Sequence, residues 1–226
     1  ELMRTIQQHR GISSTILAGS SDQNTKLRLL AAQVEERFED LGKQPRLADK
    51  AEWQQLRQQW HYLSTRWPDS GELKNFERHC KLLRELLFLI QDLTDHYGLT
   101  SASDPQRRDL AEAIFNRLPS MIENLGQLRA LSTHAATRSD CITAFRLHLQ
   151  YLIGQLTQQI NELQSIGGYR QQLSDRINRL LTLITSEVLD AERIEVQPDR
   201  LFRSASAVME DCYSSIDSGI KQLENA

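Results

Sequence analysis

The sequence predicts an all-α protein on three observations. Apolar residues recur three and four apart over long stretches. The 10 glycines and 5 prolines among 226 residues fall mostly at breaks in that pattern. No stretch alternates apolar and polar residues for the length of a strand.

Taken in order, residues 1–18 form a first helical segment, interrupted at Gly19-Ser20-Ser21-Asp22. A second runs through Leu27, Leu30, Val34, Phe38 and Leu41 and stops at Gly42, with Pro45 beyond. Residues 49–67 carry Trp53 and Trp60 seven apart on one face with Leu56 and Leu63, a packed seam closed by the turn Trp67-Pro68-Asp69-Ser70-Gly71. Leu73, Phe76, Cys80, Leu83, Leu87, Ile90 and Tyr97 make the clearest helix, stopping at Tyr97-Gly98. After a polar loop, Ser103 or Asp104 is placed to cap a helix through Leu110, Ile114, Leu118, Ile122 and Leu125, with a kink expected at Pro119. Ser139-Asp140 is expected to cap a helix from Ile142 to Leu163 that Gly167-Gly168 breaks as a turn between elements. Helices from Tyr169 to Val188 and from Leu201 to Leu223 complete the chain.

Segments of this length with short connections pack as antiparallel up-down bundles. The expectation is one domain over residues 1–226, built as two stacked or fused four-helix bundles whose halves meet near residues 100–120. With 39% hydrophobic and 25% charged residues, the chain can bury a proper core. The net charge of −3 argues against a nucleic-acid partner. There is no run of 18 apolar residues, no signal-peptide pattern and no lipidation motif. Both ends lie in uncapped helical pattern and read as cuts, so a membrane span or signalling domain is expected outside this stretch. Cys80, Cys141 and Cys212 have no metal-type spacing and sit beside apolar helical positions, where thiols act as core filler. Their odd number leans towards a reducing compartment.

One stretch breaks the core pattern. Met3, Ile6 and Leu17 define the inward face of the first helix, and that face also takes Arg10 and Ser13. An unpaired buried charge costs several kcal/mol on the order-of-magnitude scale of buried ions, so an anion is expected beside Arg10. A shift of 119 residues lays Gln8-His9-Arg10-Gly11-Ile12-Ser13-Ser14 over Gln127-Leu128-Arg129-Ala130-Leu131-Ser132-Thr133. Each copy puts an arginine and a small hydroxyl one turn apart on a core-facing seam. Guanidinium presents a planar fork that matches carboxylate, nitrate or phosphate oxygens. Two such groups would make a small positive pocket. Internal salt bridges, Arg10 with Glu123 or Arg129 with Asp92, are the equal alternative.

Catalysis finds no positive support, and no catalytic residue, metal site or cofactor is expected. His9, His61, His79, His96, His134 and His148 form neither HExxH nor a di-iron ExxH pair. Glu35-Glu36 and Asp109 with Glu112 read as solvated helix faces. There is no P-loop, dinucleotide fingerprint, nucleophile elbow or CxxC. His79, in Arg78-His79-Cys80, flanks a seam and reads as a core or surface histidine first and a pocket-lining one second.

Gln7-Gln8-His9-Arg10-Gly11-Ile12-Ser13-Ser14 resembles the Q-x-R-G-L-S opening of nitrate- and nitrite-sensing (NIT) domains. Asn75-Phe76-Glu77-Arg78-His79-Cys80, and Leu118-Pro119 through Leu125-Gly126-Gln127-Leu128-Arg129-Ala130, are similar to extracytoplasmic sensor regions of bacterial chemoreceptors and diguanylate cyclases. So is the Leu201–Leu223 helix. The resemblance implies a helical double bundle that binds a small ligand between arginines of its two halves and transmits a change in helix packing. His9 stands where the family commonly has an acidic residue, and Cys80 where the receptors have a small hydroxyl. The expected ligand-binding set is Arg10, Arg129, Ser13, Ser132, His9, Gln127 and His79. The expected partners are a small anion, a second copy of the chain and a downstream signalling domain, in a periplasmic sensor region of an inner-membrane receptor. The alternative is a protein-interaction module, with a cytoplasmic location the alternative to the periplasm.

Overall fold

A computed structural model of the protein describes residues 1–19, 23–165 and 171–225. The described residues are helical with short turns and contain no strand, so the fold is all-α. Ser20-Ser21-Asp22, Gly167-Gly168 and Tyr169, which the sequence reading used as breaks or as a helix start, lie outside the described residues. The chain divides into two compact units, Glu1–Asp92 and Leu93–Ala226. The division falls inside one helix, ahead of the 100–120 stretch expected from the sequence.

Unit 1 contains α1 (Leu2–Leu17), α2 (Asn24–Gly42), a short α3 (Pro45–Ala48), α4 (Ala51–Arg66) and most of α5 (Glu72–His96). Ile6, Val34, Phe38, Trp53, Leu56, Trp60, Leu63 and Leu83 form its core, so both tryptophans bury as their spacing demanded. Pro45 starts α3 rather than only ending α2, because a proline at the first helical position forfeits an N–H that has no intrahelical partner anyway. The inward face of α5 keeps the expected Phe76, Cys80 and Leu83 and is wider than expected. Leu82, Leu86 and Leu89 are buried, whereas Leu73 is 51% exposed. Gly98, at φ 66°, follows the end of α5 in the left-handed region that glycine enters without steric cost.

Unit 2 contains α6 (Pro105–Glu112), α7 (Leu118–Arg138), α8 (Thr143–Ser165), α9 (Gln171–Ile184) and α10 (Pro198–Asn225). Asp104 caps α6, its carboxylate accepting from the Gln106 amide at 3.0 Å. A π-helical turn, Ala113–Arg117, joins α6 to α7. Pro119, where a kink is expected, stands directly after this π turn at the start of α7, and a proline ring would otherwise crowd the carbonyl four residues back, at Phe115. A second π turn, Thr185–Leu189, follows α9. Ser139 does not open α8. It closes α7 with φ 50°, and the Asp140 amide reaches back to the Ala135 carbonyl at 3.1 Å. The cysteines are all free and buried, and burial pushes the Cys212 thiol up to about 12. No described helix is long and apolar enough to cross a membrane.

Two glycines test the packing with opposite signs. A Cβ on Gly11 would meet nothing within 4 Å, so Gly11→Ala should raise the unfolding free energy by up to about 1 kcal/mol from helix propensity alone. A Cβ on Gly219, buried in α10, would lie 2.5 Å from Cγ2 of Ile114 and 3.3 Å from Cδ1 of Leu110. That methyl sits on a stiff β-branch, and overpacking costs typically about 1–3 kcal/mol. Gly219→Ala should therefore lower the denaturant midpoint despite its better helix propensity.

Candidate functional site

In α1 the 3.6-residue period carries His9, Arg10 and Ser13 inward with Ile6, and all three polar side chains are buried. Arg10 is only 1% exposed. They face α5, whose Asn75, Phe76, His79 and Cys80 occupy one inward stripe. Nη1 of Arg10 donates to Sγ of Cys80 at 3.2 Å, and its guanidinium carbon lies 5.5 Å from the centre of the Phe76 ring. Nδ2 of Asn75 donates to the Ser13 hydroxyl at 2.9 Å, which in turn donates to the Arg10 carbonyl at 3.1 Å.

A second chain of hydrogen bonds fixes two tautomers. Nδ1 of His79 is 2.8 Å from the backbone carbonyl of Asn75. A carbonyl only accepts, so Nδ1 of His79 carries the proton and its Nε2 is a lone pair. Nδ1 of His9 lies 2.9 Å from that Nε2 and must be the donor. Nε2 of His9 is then an acceptor, buried and with no hydrogen-bond partner among the described residues; Oδ1 of Asn75 is in the same position. The Trp60 ring stands edge-on to His9 at 5.0 Å. Burial holds His9 down at about 4. Burial also lowers His79 well below the ordinary histidine value, helped by the neighbouring His9 and Arg10 charges.

Unit 2 repeats the arginine construction. Nη1 of Arg129, on α7, donates to the Ser206 hydroxyl of α10 at 2.8 Å, and the guanidinium carbon lies 4.8 Å from the Phe202 ring centre. Ser132 donates to the Arg129 carbonyl at 3.3 Å, as Ser13 does to that of Arg10. Phe76 and Cys80 are four apart on α5, and Phe202 and Ser206 four apart on α10, so a shift of 126 residues superimposes the second half of each centre. The same shifts put Leu128, Leu201 and Ala205 where unit 1 has His9, Asn75 and His79. All three are buried. The arginine is duplicated; the histidine chain belongs to unit 1 alone.

Of the expected site residues, Arg10, Ser13, His9 and His79 come together in unit 1. Arg129 and Ser132 share a centre in unit 2. Gln127 lies half-buried elsewhere on α7, where its amide donates to Glu123 at 2.9 Å and accepts from Nε2 of His148 at 3.1 Å. Of the acids in the alternative salt bridges, Asp92 pairs with Lys50 at 2.7 Å and Glu123 accepts from Gln127. Sequence reasoning missed Asn75, Phe76, Phe202 and Ser206 as site residues. The four-residue spacing of Phe-x-x-x-Cys and Phe-x-x-x-Ser on the last helix of each unit was the available signal. Among the described residues no group of three or more His, Cys, Asp or Glu is arranged to hold a metal ion. Comparison with family profiles, curated proteins and solved structures returns no significant match.

The buried histidines link stability to pH. A histidine lowered in the folded state is neutral there and protonated in the unfolded chain between about pH 4 and the ordinary value of 6.5. Its contribution is therefore full above 6.5 and is lost as pH falls towards 4. Denaturant midpoints measured from pH 7 to pH 5 should decline with acid, and His9→Asn should flatten that decline relative to the unmodified chain. The full span for His9, from 6.5 to about 4, is worth about 3.5 kcal/mol at about 1.4 kcal/mol per pKa unit.

Proposed function

We propose that the chain is the ligand-binding input domain of a bacterial signal-transduction protein, and that its buried arginine centres take a small anion of the nitrate, nitrite or short carboxylate class. The observation that carries this reading is the duplicated centre. Each unit holds an arginine in its core, with a hydroxyl one turn on and an aromatic ring beneath. A guanidinium cannot shed its charge in a protein, and a charge kept at the equivalent place in two cores is better explained by a task than by packing, since apolar residues of similar volume would stabilise a bundle as well. The resemblance to NIT domains supports the same ligand class and a periplasmic setting. Arg10 joins α1 to α5 and Arg129 joins α7 to α10. An anion that redirects either guanidinium competes with Cys80 or Ser206, which gives it differential affinity for two packings of those helices. No catalytic step enters this reading.

A second reading, a protein-interaction module, draws on α8. Residues 147–161 contain no Asp, Glu, Lys or Arg, and Leu147 and Tyr151 on that helix are each 61% exposed. Charge depletion with an exposed aromatic is the compositional mark of an interface core. A second copy of the chain is the partner proposed for it, and the arginines would then serve only internal pairing.

Thermal shift and calorimetry with sodium nitrate, sodium nitrite and sodium acetate separate the two readings. The sensor reading expects saturable stabilisation by at least one of them. Arg10→Ala should weaken binding about tenfold to a hundredfold, the range for losing a hydrogen bond to a charged group. If none of the three anions stabilises the protein, or if folded Arg10→Ala and Arg129→Ala both bind like the unmodified chain, the reading is wrong.

A further inference from the structure

The histidine chain of unit 1 bears on how its arginine centre would take a ligand. Nδ1–H of His79 is committed to the Asn75 carbonyl, and Nδ1–H of His9 to Nε2 of His79. A proton entering this chain can add to Nε2 of His9 without breaking either bond, because that nitrogen is the one lone pair in it with no hydrogen-bond partner. Arg10 follows His9 in sequence and bonds Cys80 just beside the His9–His79 contact, and its positive charge opposes protonation of His79. An anion seated on the guanidinium would cancel that opposition and add an attractive charge.

We infer that anion binding at Arg10 takes up one proton, held on Nε2 of His9. The inference rests on the anion-sensing reading and specifies how that site is regulated: the ligand binds more tightly as the pH falls. The proton comes from solvent, one N–H bond forms at Nε2 of His9, the imidazole becomes imidazolium, and no other bond is made or broken.

The surroundings leave His9 as the acceptor. From α5 it faces His79, whose own Nε2 is occupied by the His9 donor, and beyond it Cys80, which accepts from Arg10. From α4 it meets the Trp60 ring, which does not titrate. The inward side chains of α2 are Leu27, Leu30, Val34 and Phe38, none titratable. Asp69, in the turn after α4, lies near Arg66 at the surface. Unit 2 supplies an internal control. Its arginine centre has Leu128 and Ala205 at the places of His9 and His79, and neither side chain can hold a proton.

The test uses the full chain with sodium nitrate as probe, titrated calorimetrically between pH 7 and pH 5, with imidazole ¹⁵N spectra of histidine-labelled protein recorded with and without nitrate. The expected result is a nitrate Kd that tightens by up to about tenfold per pH unit, the slope for one linked proton. In the spectra, nitrate should move the Nε2 resonance of His9 from the lone-pair to the protonated position at a pH where the free protein shows the lone pair. His9→Gln should abolish the pH slope; should that variant fail to fold, the Nε2 resonance of the unmodified chain decides alone. Nitrate that binds with a flat Kd and an unmoved His9 resonance would overturn the inference and leave the anion reading standing. No binding of nitrate, nitrite or acetate at any pH in the range would remove both.

Discussion

Each unit is tied together by one buried cation. A guanidinium from the unit's first long helix of the repeated pattern, α1 or α7, crosses to its last, α5 or α10. There it donates to a small polar atom and lies over a phenylalanine ring. Leucines around it would tolerate sliding and rotation, because apolar contacts have no direction. An arginine fork tolerates much less, and an ill-placed charge in a core costs more than several ill-placed methyl groups. The register of α1 on α5, and of α7 on α10, is therefore set by a polar contact inside an otherwise apolar seam.

The two centres differ in what surrounds that contact. In unit 2 the neighbours are Leu128, Leu201 and Ala205, and Ser206 gives the arginine an oxygen acceptor at 2.8 Å. In unit 1 the acceptor is sulfur, a weaker partner at 3.2 Å, and the neighbours are His9, Asn75 and His79. Those three are buried yet incompletely matched, with Nε2 of His9 and Oδ1 of Asn75 lacking donors. Unit 1 thus carries a larger polar burden for the same architectural job. A half-satisfied buried network is less favourable than an apolar core of the same shape, so the unit 1 centre is the more costly of the two to bury.

Much of this was readable from the chain. The helical period, the glycine stop after α5, the Asp104 cap and the inward placement of Arg10, Ser13, Arg129 and Ser132 all follow from local sequence, since spacing dictates which face a residue occupies. The 119-residue echo exposed the first half of each centre. The second half was hidden because the repeat changes register, from 119 between α1 and α7 to 126 between α5 and α10, so no single shift aligns both helices. Ser139 misled for a different reason. A serine before a helix and a serine after one look alike in sequence, and only the left-handed φ shows that it ends α7. The π turns were invisible too, since neither is marked by a residue pattern of its own.

The substitution pattern between the centres says which part of unit 1 is structural and which is additional. What both units keep is the arginine, the hydroxyl one turn on, and an aromatic residue four before a small polar acceptor. In unit 2 these elements join α7 to α10 with Leu128, Leu201 and Ala205 in place of His9, Asn75 and His79. The histidine chain is therefore not required for locking, and its buried, partly unmatched atoms work against stability. The two cores therefore share the arginine contact and differ in the polar network beside it, which only unit 1 carries at the equivalent places.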